Sequence, residues 1–117
     1  IVDSKPNTFH MGTFINKKII SIGTFVKENN SKFKSNKQYR LRAMATDGCY
    51  QKIGAGKSLM LKAFQLLQEK KIEILWCSAR LKAIPFYEKL NMKSLEKIYN
   101  IANIGPHKTM YIHLDTI

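Results

Sequence analysis

Two periods divide this chain. Residues 8–46 show β-branched and aromatic runs of the kind that form strands, whereas residues 54–71 repeat their apolar positions every three to four residues. Thr8-Phe9-His10-Met11-Gly12-Thr13-Phe14-Ile15 predicts a strand, Asn16-Lys17-Lys18 a tight turn, and Ile19 to Val26 its hairpin partner. The polar stretch from Glu28 to Lys37 predicts an exposed loop. Gln38 to Thr46 alternates in part and stops at Asp47-Gly48, which predicts a strand closed by a turn. Leu59, Ala63, Leu66 and Leu67 then fall on one helical face, with Lys57, Lys62, Gln65 and Glu69 elsewhere and Lys70-Lys71 near the negative end of the dipole. Ile72 to Cys77 predicts a short buried strand, parallel to the one before the helix. A second helix is predicted over Ala83–Leu90, with Pro85 in its first turn and Asn91 as a left-handed cap. Two more strands are expected around 94–102 and 107–114, joined by a turn at Asn103-Ile104-Gly105-Pro106.

The densest chemical signal is Gln51-Lys52-Ile53-Gly54-Ala55-Gly56-Lys57-Ser58, between a strand end and a helix start. Glycines there allow close approach of backbone to ligand, and free N–H groups, helix dipole and lysines together suit a phosphate. A P-loop needs glycine where Gln51 stands, and Trp76-Cys77-Ser78 on the next strand offers no Asp for magnesium. The dinucleotide fingerprint fails as well, because Leu59 holds the place of its third glycine.

Gln51-x-x-Gly54-x-Gly56, followed by an amphipathic helix and a short strand, resembles the acyl-CoA pyrophosphate loop of the GNAT superfamily of N-acetyltransferases (Gln/Arg-x-x-Gly-x-Gly/Ala). Ala83-Ile84-Pro85-Phe86-Tyr87-Glu88-Lys89-Leu90-Asn91-Met92 resembles the same superfamily's A-i-x-F-Y-e-k-l-G-F block. Leu41 to Thr46 and Gly105-Pro106-His107-Lys108-x-Met110 are also similar to its members, so the likeness spans most of the chain. It implies an α/β (α+β) GNAT fold, a mixed central sheet with splayed parallel strands flanked by helices. The family's first strand and the helices after it are missing, which implies a chain shortened at its N-terminus.

The resemblance further implies an N-acetyltransferase that uses acetyl-CoA, with direct attack by a primary amine in a ternary complex. Gln51, Lys52, Ile53, Gly54, Ala55, Gly56, Lys57 and Ser58 would anchor the pyrophosphate, chiefly through the backbone N–H groups of Lys52, Gly54, Ala55, Gly56 and Lys57. Pantetheine would pair with Met44, Ala45 and Thr46, where a backbone N–H polarises the thioester. Tyr87 matches the tyrosine that protonates the leaving thiolate; periodicity alone favours a core tyrosine on an amphipathic helix, and the motif context reverses that reading. Arg80 stands where the family has an Asn that contacts CoA. No carboxylate lies on the strand before the loop to act as base, and His107 is the candidate, the alternative being a histidine that shapes the pocket or turn. His10, His113 and Trp76 are expected to be structural.

Composition sets the outer bounds. With 117 residues, 44% of them hydrophobic, the chain makes one domain (1–117) with its own core, and is too apolar for a disordered tail. No apolar run approaches the ~20 residues of a membrane span, and no signal-peptide pattern opens the chain, so a cytoplasmic protein without a membrane partner is expected. Cys49 and Cys77 form no metal-ligand spacing, so no metal is expected. The formal net charge of +12 would draw polyanions, but the basic residues are scattered and nearly all Lys, Arg40, Arg42 and Arg80 being the exceptions. That pattern favours a solvated surface over a nucleic-acid face. It also argues against a polycationic acceptor; the partner is expected to be a small-molecule or peptide amine, with a homodimer open through the sheet edges. The readings that remain beside the enzyme are a CoA-binding domain without turnover and a basic nucleic-acid-binding domain.

Overall fold

Residues 7–48, 50, 54–95, 98–102 and 104–116 are described by a computed structural model of the chain. Strands β1 (Thr8–Ile15), β2 (Lys18–Lys27) and β3 (Gln38–Thr46) form an antiparallel meander. The first turn is only two residues long: Asn16 and Lys17 take φ of 49° and 68°, the left-handed pair whose twist matches a hairpin. Lys18, expected in the turn, therefore already pairs with Ile15.

Helix α1 (Ala55–Glu69) leads to β4 (Ile74–Arg80), which lies parallel to β3. A 3-10 turn (Leu81–Ala83), α2 (Ile84–Glu88), β5 (Lys93–Ser94), β6 (Tyr99–Ile101), β7 (Gly105–His113) and a closing 3-10 turn (Leu114–Thr116) complete the chain. The sheet runs β1-β2-β3-β4-β7-β5, with β6 also on β7, so the sheet is mixed as expected.

Leu59, Ala63 and Leu67 are buried against the sheet together with Met60 and Phe64, while Leu66 stays at the margin. Phe25, Tyr39, Leu41, Leu75, Cys77, Met110 and Ile112 of the sheet meet them in one cluster, which also holds Tyr87 and Leu90. Both helices therefore cover the same face, and the other face carries no helix among the described residues.

Three sequence expectations shift, each for a traceable reason. The strand expected at 72–77 begins at Ile74, because Ile72 still belongs to the end of α1: its N–H bonds the Leu67 carbonyl at 3.0 Å and the Lys71 N–H bonds that of Gln68 at 3.0 Å. Lys71 is left-handed there (φ 64°), without glycine's freedom. The same closure ends α2, with Asn91 at φ 68° as the sequence predicted, although that helix is shorter than 83–90. The stretch at 94–102 is two short strands, β5 and β6, both laid on β7, and β7 starts at Gly105, inside the expected turn.

Candidate active site

The decisive local event is a bulge in β3. Thr24 pairs with Ala43 but Phe25 pairs with Leu41, leaving Arg42 as an extra residue that bends the strand. The parallel ladder to β4 covers only Gln38–Arg40 against Ile74–Trp76. Beyond it β4 continues beside β7, from Cys77 opposite Met110 to Arg80 opposite His107, while among the described residues β3 keeps only β2 as its neighbour. The sheet is thus forked, and residues 41–46 present an unpaired strand edge along one arm.

The N-terminus of α1 opens beside that edge. Gly54 holds φ 84°, a conformation glycine adopts at no steric cost, and turns the chain into the helix. Its carbonyl accepts the first helical bond, from the Ser58 N–H at 2.9 Å, so the N–H groups of Ala55, Gly56 and Lys57 have no partner within the helix. Among the described residues no side chain caps the helix, and its first turn holds no acidic residue, so its positive end suits an anion.

A cavity of about 510 Å³ lies between these parts. Met44, Ala45 and Thr46 form its strand wall, Gly54, Gly56 and Lys57 its helix wall, and Ala83, Phe86, Tyr87, Lys89 and Leu90 the side of α2. Gly56 sits in a close approach: a Cβ there would stand 3.0 Å from Met44 Cε, 3.2 Å from Thr46 Oγ1 and 3.4 Å from Phe86 Cε1.

Seven of the residues nominated from sequence therefore share one cavity: Met44, Ala45, Thr46, Gly54, Gly56, Lys57 and Tyr87. Ala55 is buried within the first turn of α1 and Ser58 is exposed, both off the cavity wall. Gln51, Lys52 and Ile53 lie outside the described residues. Ala83, Phe86, Lys89 and Leu90 were not nominated, although they stand in the same motif block as Tyr87, whose helical spacing could have pointed to them.

Arg80 and His107 are not on the cavity wall; they pair across β4 and β7. Strand alternation from Cys77 and Ala79, which lie in the helix-side core, puts Arg80, Ser78 and Trp76 on the sheet's open face. Buried His107 has Nδ1 2.9 Å from the Gly105 carbonyl, which can only accept, so Nδ1–H is the donor. Trp76, a core residue as expected, donates its indole N–H to the Glu28 carbonyl at 3.0 Å.

Tyr87 is buried with its hydroxyl beside the Cys77 thiol. Burial, and next the neighbouring Cys77, raise the phenol above its ordinary value. Burial also pushes the Cys77 thiol up to about 12, against a smaller opposing effect of the Tyr87 hydrogen bond. Both groups are neutral at physiological pH. Among the described residues no group of three or more His, Cys, Asp or Glu could hold a metal ion, and no helix is long and apolar enough to cross a membrane.

Comparison with known proteins agrees with this geometry. Residues 2–92 match the acetyltransferase (GNAT) family. The chain is 35% identical over 114 residues to YitI of Bacillus subtilis (strain 168), an uncharacterized N-acetyltransferase, covering 97% of this chain and 76% of that one. The chain belongs to the GNAT family. As a GNAT protein it is an N-acetyltransferase, of a family that acetylates amine acceptors. In fold it is similar to an aminoglycoside 6'-N-acetyltransferase complexed with coenzyme A (TM-score 0.78, 12% identity, 93% of this chain and 74% of that). It is also similar to PaiA N-acetyltransferase from Thermoplasma acidophilum in complex with coenzyme A (TM-score 0.74, 16% identity, 92% and 61%).

Proposed function

We propose that this GNAT chain takes its acetyl group from acetyl-CoA bound in the 510 Å³ cavity and passes it directly to a primary amine. The observation that carries the reading is the meeting of an unpaired strand edge, an uncapped helix N-terminus and a buried tyrosine around one cavity. The pyrophosphate is held by N–H groups at the start of α1, with Lys57 adding charge. Pantetheine lies along residues 44–46 as an added strand, and a backbone N–H there donates to the thioester oxygen as it gains charge.

In the transfer step the amine nitrogen forms a bond to the thioester carbon, the C–S bond breaks, and the nitrogen gives up a proton. Tyr87 faces the departing sulfur. Its raised pKa keeps it neutral at physiological pH, so it can donate there. That pKa also lies above a thiol's, so complete transfer is uphill and the hydrogen bond to the sulfur's growing charge is the larger contribution. His107, paired with Arg80 across the sheet, is the candidate acceptor of the amine's proton.

Calorimetric titration of acetyl-CoA, with ATP as control, into the wild type and a Gly56→Glu variant tests the reading. Saturable binding of acetyl-CoA alone, abolished by a carboxylate in the cavity, is expected. Absence of binding by folded wild type would remove the cavity as the donor site.

A further inference from the structure

The fork joins two faces of the sheet. Its cavity side holds Tyr87, and its open side begins at the last rung, where Arg40 pairs with Trp76. An acyl group that follows the β3 edge into the fork emerges there, so the open side is where a nucleophile reaches it.

The side chains waiting on that side are cationic. Strands β3, β4 and β7, which bound the fork, contain no acidic residue. Arg40, Arg42 and Arg80 all belong to them, and Glu28 is shared by the first two, 2.7 Å from Arg40 Nη1 and 3.2 Å from Arg42 Nη1. Arg40 is held in a fixed orientation, its guanidinium 4.7 Å from the centre of the Trp76 ring. Only its Nη1 is engaged by the carboxylate. Nη2 has a long 3.5 Å contact with Ser78 Oγ, and the buried Nε has no partner among the described residues. Nε and Nη2 share one edge of the planar group, the edge that grips an oxyanion through two parallel bonds. Tyr99 donates to Ser78 Oγ at 2.8 Å, so hydroxyl groups surround that edge.

We propose that the acceptor is a small primary amine bearing an anionic group, a carboxylate or phosphate, and that Arg40 is the residue that reads it. The anion displaces the weak Ser78 contact, takes the Nη2–Nε edge, and leaves the amine at the mouth of the fork. Binding then satisfies a buried donor that otherwise lacks a partner among the described residues, whereas a polycation meets a surface on which one carboxylate, Glu28, is shared by two arginines.

This inference rests on the acetyl-CoA reading, so the first measurement is acetyl-CoA binding; its absence fails both. With binding established, thiol release from acetyl-CoA is followed with matched acceptors: amino acids, their carboxamides, aminoalkyl phosphates and a diamine. The expected result is kcat/KM at least tenfold higher for an anionic acceptor than for its neutral counterpart, the carboxylate and phosphate arms identifying the anion. Arg40→Lys, which keeps charge but not the two-bond edge, should reduce that preference about tenfold with acetyl-CoA affinity unchanged. Preference for the amide or diamine, no turnover of any anionic acceptor despite bound acetyl-CoA, or an equal fall for all acceptors in a folded Arg40→Lys protein would overturn the proposal. The wild-type comparison stands even where the variant is unstable.

Discussion

Adding one methyl group at Gly56 separates cofactor binding from folding. Its Cβ would lie 3.0–3.4 Å from Met44 Cε, Thr46 Oγ1 and Phe86 Cε1. Two of those neighbours are fixed: the Thr46 hydroxyl bonds Ser21 Oγ at 3.0 Å, and the Phe86 ring packs edge-on against Tyr87, centroids 5.2 Å apart. Met44, with three rotatable bonds, is the group that yields, and the space into which it swings is the cavity it lines. For the fold, crowding costs on the order of 1 kcal/mol, while alanine in place of glycine in a helix returns up to about 1 kcal/mol. The net change in Tm should thus stay within a few degrees. For the cofactor, a displaced Met44 and a new methyl hold the pyrophosphate off the first turn of α1. The loss of one charge-assisted hydrogen bond, about 1.5–3 kcal/mol, corresponds to roughly a 10- to 100-fold weaker Kd. Thermal unfolding and acetyl-CoA calorimetry on Gly56→Ala read the two effects separately. Undiminished affinity would refute the placement of the pyrophosphate, and a large loss of Tm would refute the claim that Met44 absorbs the strain.

Other residues give equally direct outcomes. Tyr87→Phe should lower kcat about 10²-fold with acetyl-CoA affinity within twofold of wild type; unchanged kcat in steady-state assays would return Tyr87 to a purely structural role. Cys77, whose pKa rises on folding from 9.0 to about 12, stays protonated in the native state where the unfolded chain has lost its proton. Below pH 9 both states hold the proton and stability is unaffected; as pH rises toward 12 the unfolded thiol ionises while the buried one cannot, and stability falls. Urea unfolding should show a steeper alkaline decline for wild type than for Cys77→Ala, and parallel profiles would count against this. Lys71 pays a left-handed penalty at φ 64°, so Lys71→Gly should raise stability by about 1 kcal/mol without altering acetyl-CoA affinity; a loss of stability by denaturant titration would contradict the helix ending described above.

The sequence was most legible where one local rule governs. Strands β1 to β3 follow from their aromatic and β-branched runs, and α1 from the spacing of Leu59, Ala63 and Leu67. Gly54 and Gly56 were legible as ligand-facing glycines, and the Ala83–Met92 block led to Tyr87. What stayed hidden depends on partners distant in sequence. Ser78-Ala79-Arg80 shows no strand pattern, and it is extended because β7 pairs with it. Lys93–Ser94 and Tyr99–Ile101 are too short and exposed to have a period, and only β7 organises them. The setting of Arg40 is built from Glu28, Trp76 and Ser78, which no motif links.

The bulge at Arg42 is the hardest feature to foresee and the one on which the site depends. Strict alternation from Leu41 would put Ala43 and Ala45 on the helix side; the extra residue puts Met44 and Thr46 there instead, against Gly56. Deleting Arg42 leaves every other β2–β3 pair and its facing unchanged and removes the bend alone. The ion pair lost with it is exposed, 3.2 Å from Glu28, and contributes under about 1 kcal/mol. A straighter β3 can extend its parallel ladder beyond Arg40 toward Cys77, which narrows the fork and uses the strand edge that pantetheine requires. The deletion should therefore fold, with stability equal to or above wild type by denaturant titration, and fail to bind acetyl-CoA. If it binds acetyl-CoA as wild type does, the fork is held open by α1 and α2 rather than by the bulge.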